Sequence, residues 1–250
     1  MTEPILFGFI PLYSILISLA AAVGLGLSIW RSPERRDALT WLGIGLLGAS
    51  LVGGRAGYIV QNFRYYQSHL IEIPQFWLGG MTWAGGLVGL LVFISACQVF
   101  WDEQVLNLLD VYLPLIGLAS AAIWLGDWGS GAGYGPQTES WIGIPIQDIY
   151  GNVNPRWPLP IIGALGSLGW TAFVVFYPVE RWLGNRLWQG GVGLIGLAAI
   201  SGIISFFEVD PAPRLWGLKI ETWLSLIMVI IGLVIFQVTR SEKNNEKIKN

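Results

Sequence analysis

Arg55 is the residue in this sequence that most needs a chemical reason. It stands between Gly53 and Gly57 in an otherwise apolar run. A guanidinium held at membrane depth is costly without a partner or water, so it marks a functional site by default. Its planar fork suits a phosphate or carboxylate. The plainer alternative is a static ion pair, with Asp110 or Asp127 as partner. A second feature is the stretch Gly126–Gly135, with five glycines in ten residues. Such a segment is expected to leave the helix. It reads as the edge of a wet cavity or as an exterior loop. No strand precedes it, so it is not a dinucleotide-binding turn. Asp210, Pro211 and Pro213 read as a turn, with Glu208 solvated beside it. His69 reads as an exposed loop histidine and Cys97 as a small buried hydrophobe. One cysteine and one histidine in the chain leave no material for a multi-cysteine metal centre or an internal disulfide.

The elements that must position these residues follow from composition. Of 250 residues 54% are hydrophobic and 12% charged, about half the roughly 25% charge of a soluble domain. Thirty-three glycines and fourteen tryptophans suit membrane spans and their interfaces. A net charge of −2 gives no basic field for nucleic acid. Seven apolar runs approach the roughly 20 residues of a bilayer crossing: Leu6–Trp30, Leu39–Val60, Trp83–Trp101, Val111–Leu125, Pro158–Val179, Gly191–Phe207 and Thr222–Val238. In lipid such runs are helices. The expectation is an all-α, polytopic helical bundle of about seven spans. It forms one transmembrane domain over 1–240 with a disordered tail, 241–250. Met1–Pro4 has no basic n-region, so the first run reads as a retained span and not a cleaved signal. Nine Lys and Arg flank one side of these spans and four the other, which puts the C-terminus in the cytoplasm and the N-terminus outside. Gly53/Gly57 and Gly85/Gly89 are small-xxx-small pairs suited to close helix packing.

Several motifs together resemble the prolipoprotein diacylglyceryl transferase family. Gly53-Gly54-Arg55-Ala56-Gly57-Tyr58 is similar to its Gly-Gly-Arg-x-Gly-Tyr. Gly79 to Gly89 resembles Gly-Gly-Met-Ser-Phe-His-Gly-Gly-Leu-Ile-Gly, and Trp124 to Gly135 falls on the signature Arg-Ile-Gly-Asn…Gly segment. Arg156-Trp157-Pro158 opens like Arg-His-Pro-Ser-Gln-x-Tyr-Glu, Leu224-Ser225 fits Gln-x-Leu-Ser, and Tyr13 matches a tyrosine of the first span. The resemblance runs from about Pro4 to Val238. It implies a seven-span inner-membrane protein that moves diacylglyceryl from phosphatidylglycerol to the lipobox cysteine of a prolipoprotein, with no cofactor. Its partners would be a membrane phospholipid and the prolipoprotein signal peptide. The lipid-binding candidates it marks are Arg55, Tyr58, Gly85, Gly86, Asp127, Gly135 and Arg156.

The polar positions of the family are largely substituted. Its histidine falls on Ala84, its signature arginine on Trp124 and its asparagine on Asp127. A glutamate falls on Gly163, and an Arg-x-x-x-Glu-x-x-Arg on Ser201, Ser205 and Glu208. The reaction needs a base for the thiol and cations on the departing phosphate. Arg55 and Arg156 are the cations available, Asp127 and Glu208 the possible bases. Loss of one electrostatic contact commonly costs roughly 10²–10³ in rate. Two readings stay open: a transferase with a rearranged site, or a catalytically inactive lipid-binding or partner-binding protein on the same scaffold. Residue physics favours the second. A small transporter would want inverted repeats, which the sequence lacks.

Overall fold

In the computed structural model the described residues are 5–6, 10–75, 80–101, 105–177, 189–211 and 214–249. For 5–6, 10–13, 83–84, 101, 105–107 and 235–249 the backbone alone is described. Gly79, Asp102, Glu103, Arg181, Trp182, Arg186 and Pro213 lie outside the described residues, as do the side chains of Tyr13, Ala84 and the charged tail.

The chain is a helical membrane protein. The strands Ile5–Leu6 (β1) and Ile10–Pro11 (β2) pair and lead into α1, Leu12–Trp30. Then come α2 (Arg36–Gln61), a one-turn α3 (Phe63–Tyr66), α4 (Trp83–Trp101) and α5 (Val105–Ser130). A hairpin of β3 (Ile144–Gln147) and β4 (Val153–Arg156) precedes α6, Leu159–Phe176. Helix α7 (Gln189–Phe207) is followed by the hairpin β5 (Arg214–Leu215) and β6 (Leu218–Lys219), then α8, Ile220–Lys249. Four of these helices are long and apolar enough to cross a membrane: Pro33–Gln61, Leu108–Ser130, Leu159–Phe176 and Gln189–Phe207. Three shorter apolar stretches, Ser14–Trp30, Gly85–Phe100 and Ile220–Val234, also occur among the described residues.

Two segments differ from expectation. The glycine-rich stretch stays helical through Ser130 and ends only at Gly131, whose φ is +73°. There the N–H of Ala132 donates to Asp127 O at 2.8 Å and that of Gly131 to Trp128 O at 3.4 Å. This is the Schellman arrangement, which needs one left-handed residue after the helix and not a glycine-free helix before it. The charged tail, expected to be disordered, is helical to Lys249. Extension from a formed helix carries no nucleation cost, and Glu and Lys are good helix formers.

The chain clusters into two units, Ser32–Leu108 and Met1–Arg31 with Leu109–Asn250. In the smaller unit α2 and α4 meet backbone to backbone. A Cβ on Gly53 would stand 2.8 Å from Gly89 Cα, and one on Gly85 would stand 3.0 Å from Gly53 C. Without a hydrophobic drive between helices in lipid, such close approach supplies the dispersion contacts that hold them. In the larger unit bulky residues seat on glycines of the facing helix: Leu115 on Gly24, Thr171 on Gly117, Leu113 on Gly193, Trp170 on Gly196 and Ile195 on Gly232. The Trp170 indole also donates to Val192 O at 3.3 Å and Gly193 O at 3.2 Å, tying α6 to α7.

Gly53→Leu should therefore lower the melting temperature in detergent, at the roughly 1–3 kcal/mol typical of overpacking. Gly48→Ala, with nothing within 4 Å of the added Cβ, should leave it unchanged or raise it. Equal melting of the two variants would show that the α2–α4 contact is not tight.

Candidate functional site

The expected site residues fall into two groups, one in each unit. In the smaller unit Arg55 is 3% exposed and its fork is taken up by main-chain carbonyls. Nε donates to Ile73 O at 3.0 Å, Nη2 to Glu72 O at 2.5 Å and Nη1 to Gly80 O at 3.3 Å. Its guanidinium carbon lies 5.4 Å from the Tyr66 ring centroid, within cation–π range. Arg55 thus gathers the segment 72–80 onto α2. Tyr58 backs the same turn: a Cβ on Gly80, whose φ is +72°, would meet its ring at 2.6 Å.

Gly85 and Gly86 belong to the start of α4. Thr82 donates its N–H to Gly54 O at 3.0 Å and its hydroxyl accepts from Gly85 N at 3.2 Å, the bond an N-cap residue makes to the third residue of its helix. Gly86 N donates to Thr82 O at 3.0 Å. The glycines serve the approach to α2. His69 is exposed and stacks on Tyr65, ring centroids 4.1 Å apart. Cys97 is buried.

In the larger unit Arg156 lies at the end of β4, buried under the ring of Tyr134, with the guanidinium carbon 4.4 Å from the centroid. Nη2 bonds Asp148 Oδ2 at 3.1 Å and Nη1 bonds Gly135 O at 3.4 Å. Asp148 sits at the β3–β4 turn, where its Oδ1 accepts from Tyr150 N at 3.0 Å and Asn152 N at 2.9 Å. Burial pushes its carboxyl up, but those N–H groups, the Asn152 amide and Arg156 carry it below the usual carboxylate range. Gly135 is close-packed, since a Cβ there would lie 2.8 Å from Trp157 Cβ. Burial and the nearby Asp148 hold the Tyr134 phenol above its ordinary value.

Asp127 and Glu208 come together around Gly133: a Cβ on that glycine would be 3.6 Å from Asp127 Cβ and 3.5 Å from Glu208 Oε1. The expected solvation of Glu208 is corrected by the structure. Glu208 is 6% exposed and accepts from Lys219 Nζ at 2.9 Å. The β5–β6 hairpin brings them together. Its turn, Trp216 and Gly217 with φ of 51° and 82°, is of the primed type that suits tight hairpins. Lys219 also bonds Asp210, which accepts from Gly133 N at 3.4 Å. Burial works against the ammonium, but Asp210 and Glu208 outweigh it and raise the Lys219 pKa. One turn earlier on α7, Ser205 shares a hydrogen bond of 2.9 Å with Thr222 of α8.

Trp124 and Gly163, matched above to the family's arginine and glutamate, face each other. The indole is buried in a cluster with Ala121, Leu159, Ala164 and Ile204. A Cβ on Gly163 would lie 2.6 Å from Trp124 Cε2 and 2.8 Å from Cγ. An indole lies against a missing side chain where an ion pair would otherwise stand.

The sequence reading passed over Asp148 and Lys219 as partners. The signal for Asp148 was local, Asp148-Ile-Tyr-Gly-Asn152 being a turn sequence. For Lys219 the only hint was the short Trp216-Gly217 turn between two-residue strands.

Lys219→Met strands two carboxylates, so stability should fall by about 3–5 kcal/mol, the usual cost of breaking a buried pair. Adding Glu208→Gln should restore part of it. Thermal melts of the single and double variants check this; a Lys219→Met protein that melts like the parent would remove the cluster's structural role. The lowered pKa of Asp148 stabilises the fold above the unfolded value, about pH 3.9, and that contribution disappears as pH falls through the folded value. Asp148→Asn should therefore flatten the loss of stability below about pH 4 in pH-dependent melts; an unaltered acid limb would contradict it.

A family model described as Prolipoprotein diacylglyceryl transferase matches residues 4–238. Relatives named phosphatidylglycerol–prolipoprotein diacylglyceryl transferase include that of Cupriavidus metallidurans, 30% identical over 203 residues, 80% of this chain and 74% of the relative. That of Neisseria meningitidis serogroup B is 29% identical over 242 residues, covering 84% and 82%. The Lactococcus lactis protein is 25% identical over 244 residues, covering 93% and 91%. By the match over nearly its whole length, the chain belongs to the prolipoprotein diacylglyceryl transferase family.

Proposed function

We propose that this chain is a lipid-binding member of the family that does not carry out the transfer reaction. The observation that carries the reading is the Trp124–Gly163 contact: the position matched to the headgroup-binding arginine holds an indole, and its neighbour has given up its side chain to make room. An indole cannot bind a departing phosphate bidentately. The buried basic groups add to this. Arg156 is held by Asp148, Gly135 and Tyr134, and Lys219 by Glu208 and Asp210. Neither is presented to a leaving group.

The membrane is the bacterial inner membrane, as for the family. All seven apolar helices are spans, with the N-terminus outside and the C-terminus cytoplasmic by the excess of Lys and Arg on the cytoplasmic side. Both hairpins and the Lys219 cluster then lie at the outer face. The second reading is the family transfer itself, from phosphatidylglycerol to a lipobox cysteine; the length of the match and the retained Arg55, Tyr58, Gly85 and Gly86 favour it.

The two separate in one assay: transfer of labelled diacylglyceryl from phosphatidylglycerol to a lipobox peptide by the purified, folded protein in nanodiscs. The expected result is no turnover above the protein-free control. Turnover abolished by Asp127→Asn or Glu208→Gln would overturn the proposal in favour of a rebuilt site.

A further inference from the structure

Between α7 and α8 lies a groove of about 500 Å³, walled by Ala198, Gly202 and Phe206 on one side and Thr222, Ser225 and Leu226 on the other. Its size falls within the roughly 300–1,000 Å³ of small-ligand sites. The walls are apolar except at Ser225. That residue is 2% exposed, and its hydroxyl has no hydrogen-bond partner among the described residues. A buried hydroxyl without a partner is an exception that asks for an acceptor. Thr222 does not supply one, being bonded to Ser205.

Glu221 stands one turn above Ser225 on the same face of α8, about 6 Å along the axis. Asp127 lies in the field of Glu221, Glu208 and Asp210, and Glu221 in that of Glu208 and Asp210. Lys219 is the cation of this group and is spent on Glu208 and Asp210. Arg156 is spent on Asp148. Asp127 and Glu221 accept no hydrogen bond from another side chain among the described residues. The head of the groove therefore carries excess negative charge and unused acceptors, and its wall carries an unused donor. An anionic headgroup is repelled there, whereas a cationic donor is attracted.

We propose that this groove holds one acyl chain of an amine-bearing, zwitterionic phospholipid. Its ammonium donates to Asp127 and Glu221, and its ester carbonyl accepts from the Ser225 hydroxyl. The inference rests on the lipid-binding reading above and gives that reading its lipid class, one of opposite headgroup preference to phosphatidylglycerol.

The test places the full chain in nanodiscs containing equal phosphatidylethanolamine and phosphatidylglycerol, and counts the lipid retained on the protein by native mass spectrometry. The expected result is several-fold retention of phosphatidylethanolamine over phosphatidylglycerol. Asp127→Asn/Glu221→Gln, isosteric and relieved of like charge, should bring the ratio to one with a lipid still bound. Ser225→Ala should lower retention of both lipids alike. Equal retention by the parent, or preference for phosphatidylglycerol, overturns this inference and leaves the lipid-binding reading standing. A folded protein retaining neither lipid overturns both.

Discussion

Hydrocarbon offers no hydrogen bonds, so a cation buried in this chain must find its partners within the chain. Three are described, and each is met by a different device. Arg55 takes carbonyls of the segment 72–80 and the face of Tyr66. Arg156 takes a carboxylate already oriented by the turn that carries it. Lys219 takes two carboxylates from the end of α7. The irregular segments follow from these demands. Segment 72–80 lies where Arg55 can reach its carbonyls, the β3–β4 hairpin closes over Arg156, and β5–β6 turns back sharply enough for Lys219 to meet Glu208. Even the strained φ of Trp216 belongs to this account, because a slacker turn would leave the ammonium unpaired.

Close packing supplies the rest of the cohesion, and it explains how the polar positions of the family could change without loss of fold. A buried ion pair is often no more stabilising than well-packed apolar groups of similar volume. Trp124 against Gly163 is such an exchange: the larger side chain fills the space the smaller one vacates. The same bulky-on-glycine pattern recurs at Trp170 on Gly196 and Leu113 on Gly193. The substitution thus uses a device already present throughout the larger unit.

What was legible in the sequence is what depends on composition and local spacing. The apolar runs mark the helices, and Gly53, Gly57, Gly85 and Gly89 mark the α2–α4 contact. Arg55 between glycines marks a buried guanidinium. Less legible were features decided by long-range geometry. Counting glycines over 126–135 suggests a loop, but one left-handed residue at Gly131 suffices to end a helix, and the earlier glycines stay inside it. Glu208 beside Pro211 has the sequence of a solvated turn. Its burial depends on a hairpin eleven residues on, whose strands of two residues carry almost no periodicity. Trp124 and Gly163 are thirty-nine positions apart and look like unrelated losses until the fold sets one against the other.

The division between retained and replaced positions then has a physical reading. Arg55 clamps the segment after α3, Tyr58 backs the turn at Gly80, and Gly85 and Gly86 admit α2 to the start of α4. Each has a structural task in this chain that is indifferent to whether a phosphate is ever bound. Trp124, Asp127, Gly163, Ser201, Ser205 and Glu208 stand where the family places charge or amide groups, and their present partners are apolar, hydroxyl or acid–lysine contacts made within the chain. Retention of the first set therefore carries little weight as evidence for transfer chemistry, since packing alone would preserve it. The second set bears on chemistry, and its changes are coordinated: an arginine gives way to an indole with a glycine opposite, and a matched arginine position becomes a glutamate with its own lysine. Coordinated changes of this kind keep the scaffold stable while reversing the sign of charge that a bound headgroup would meet.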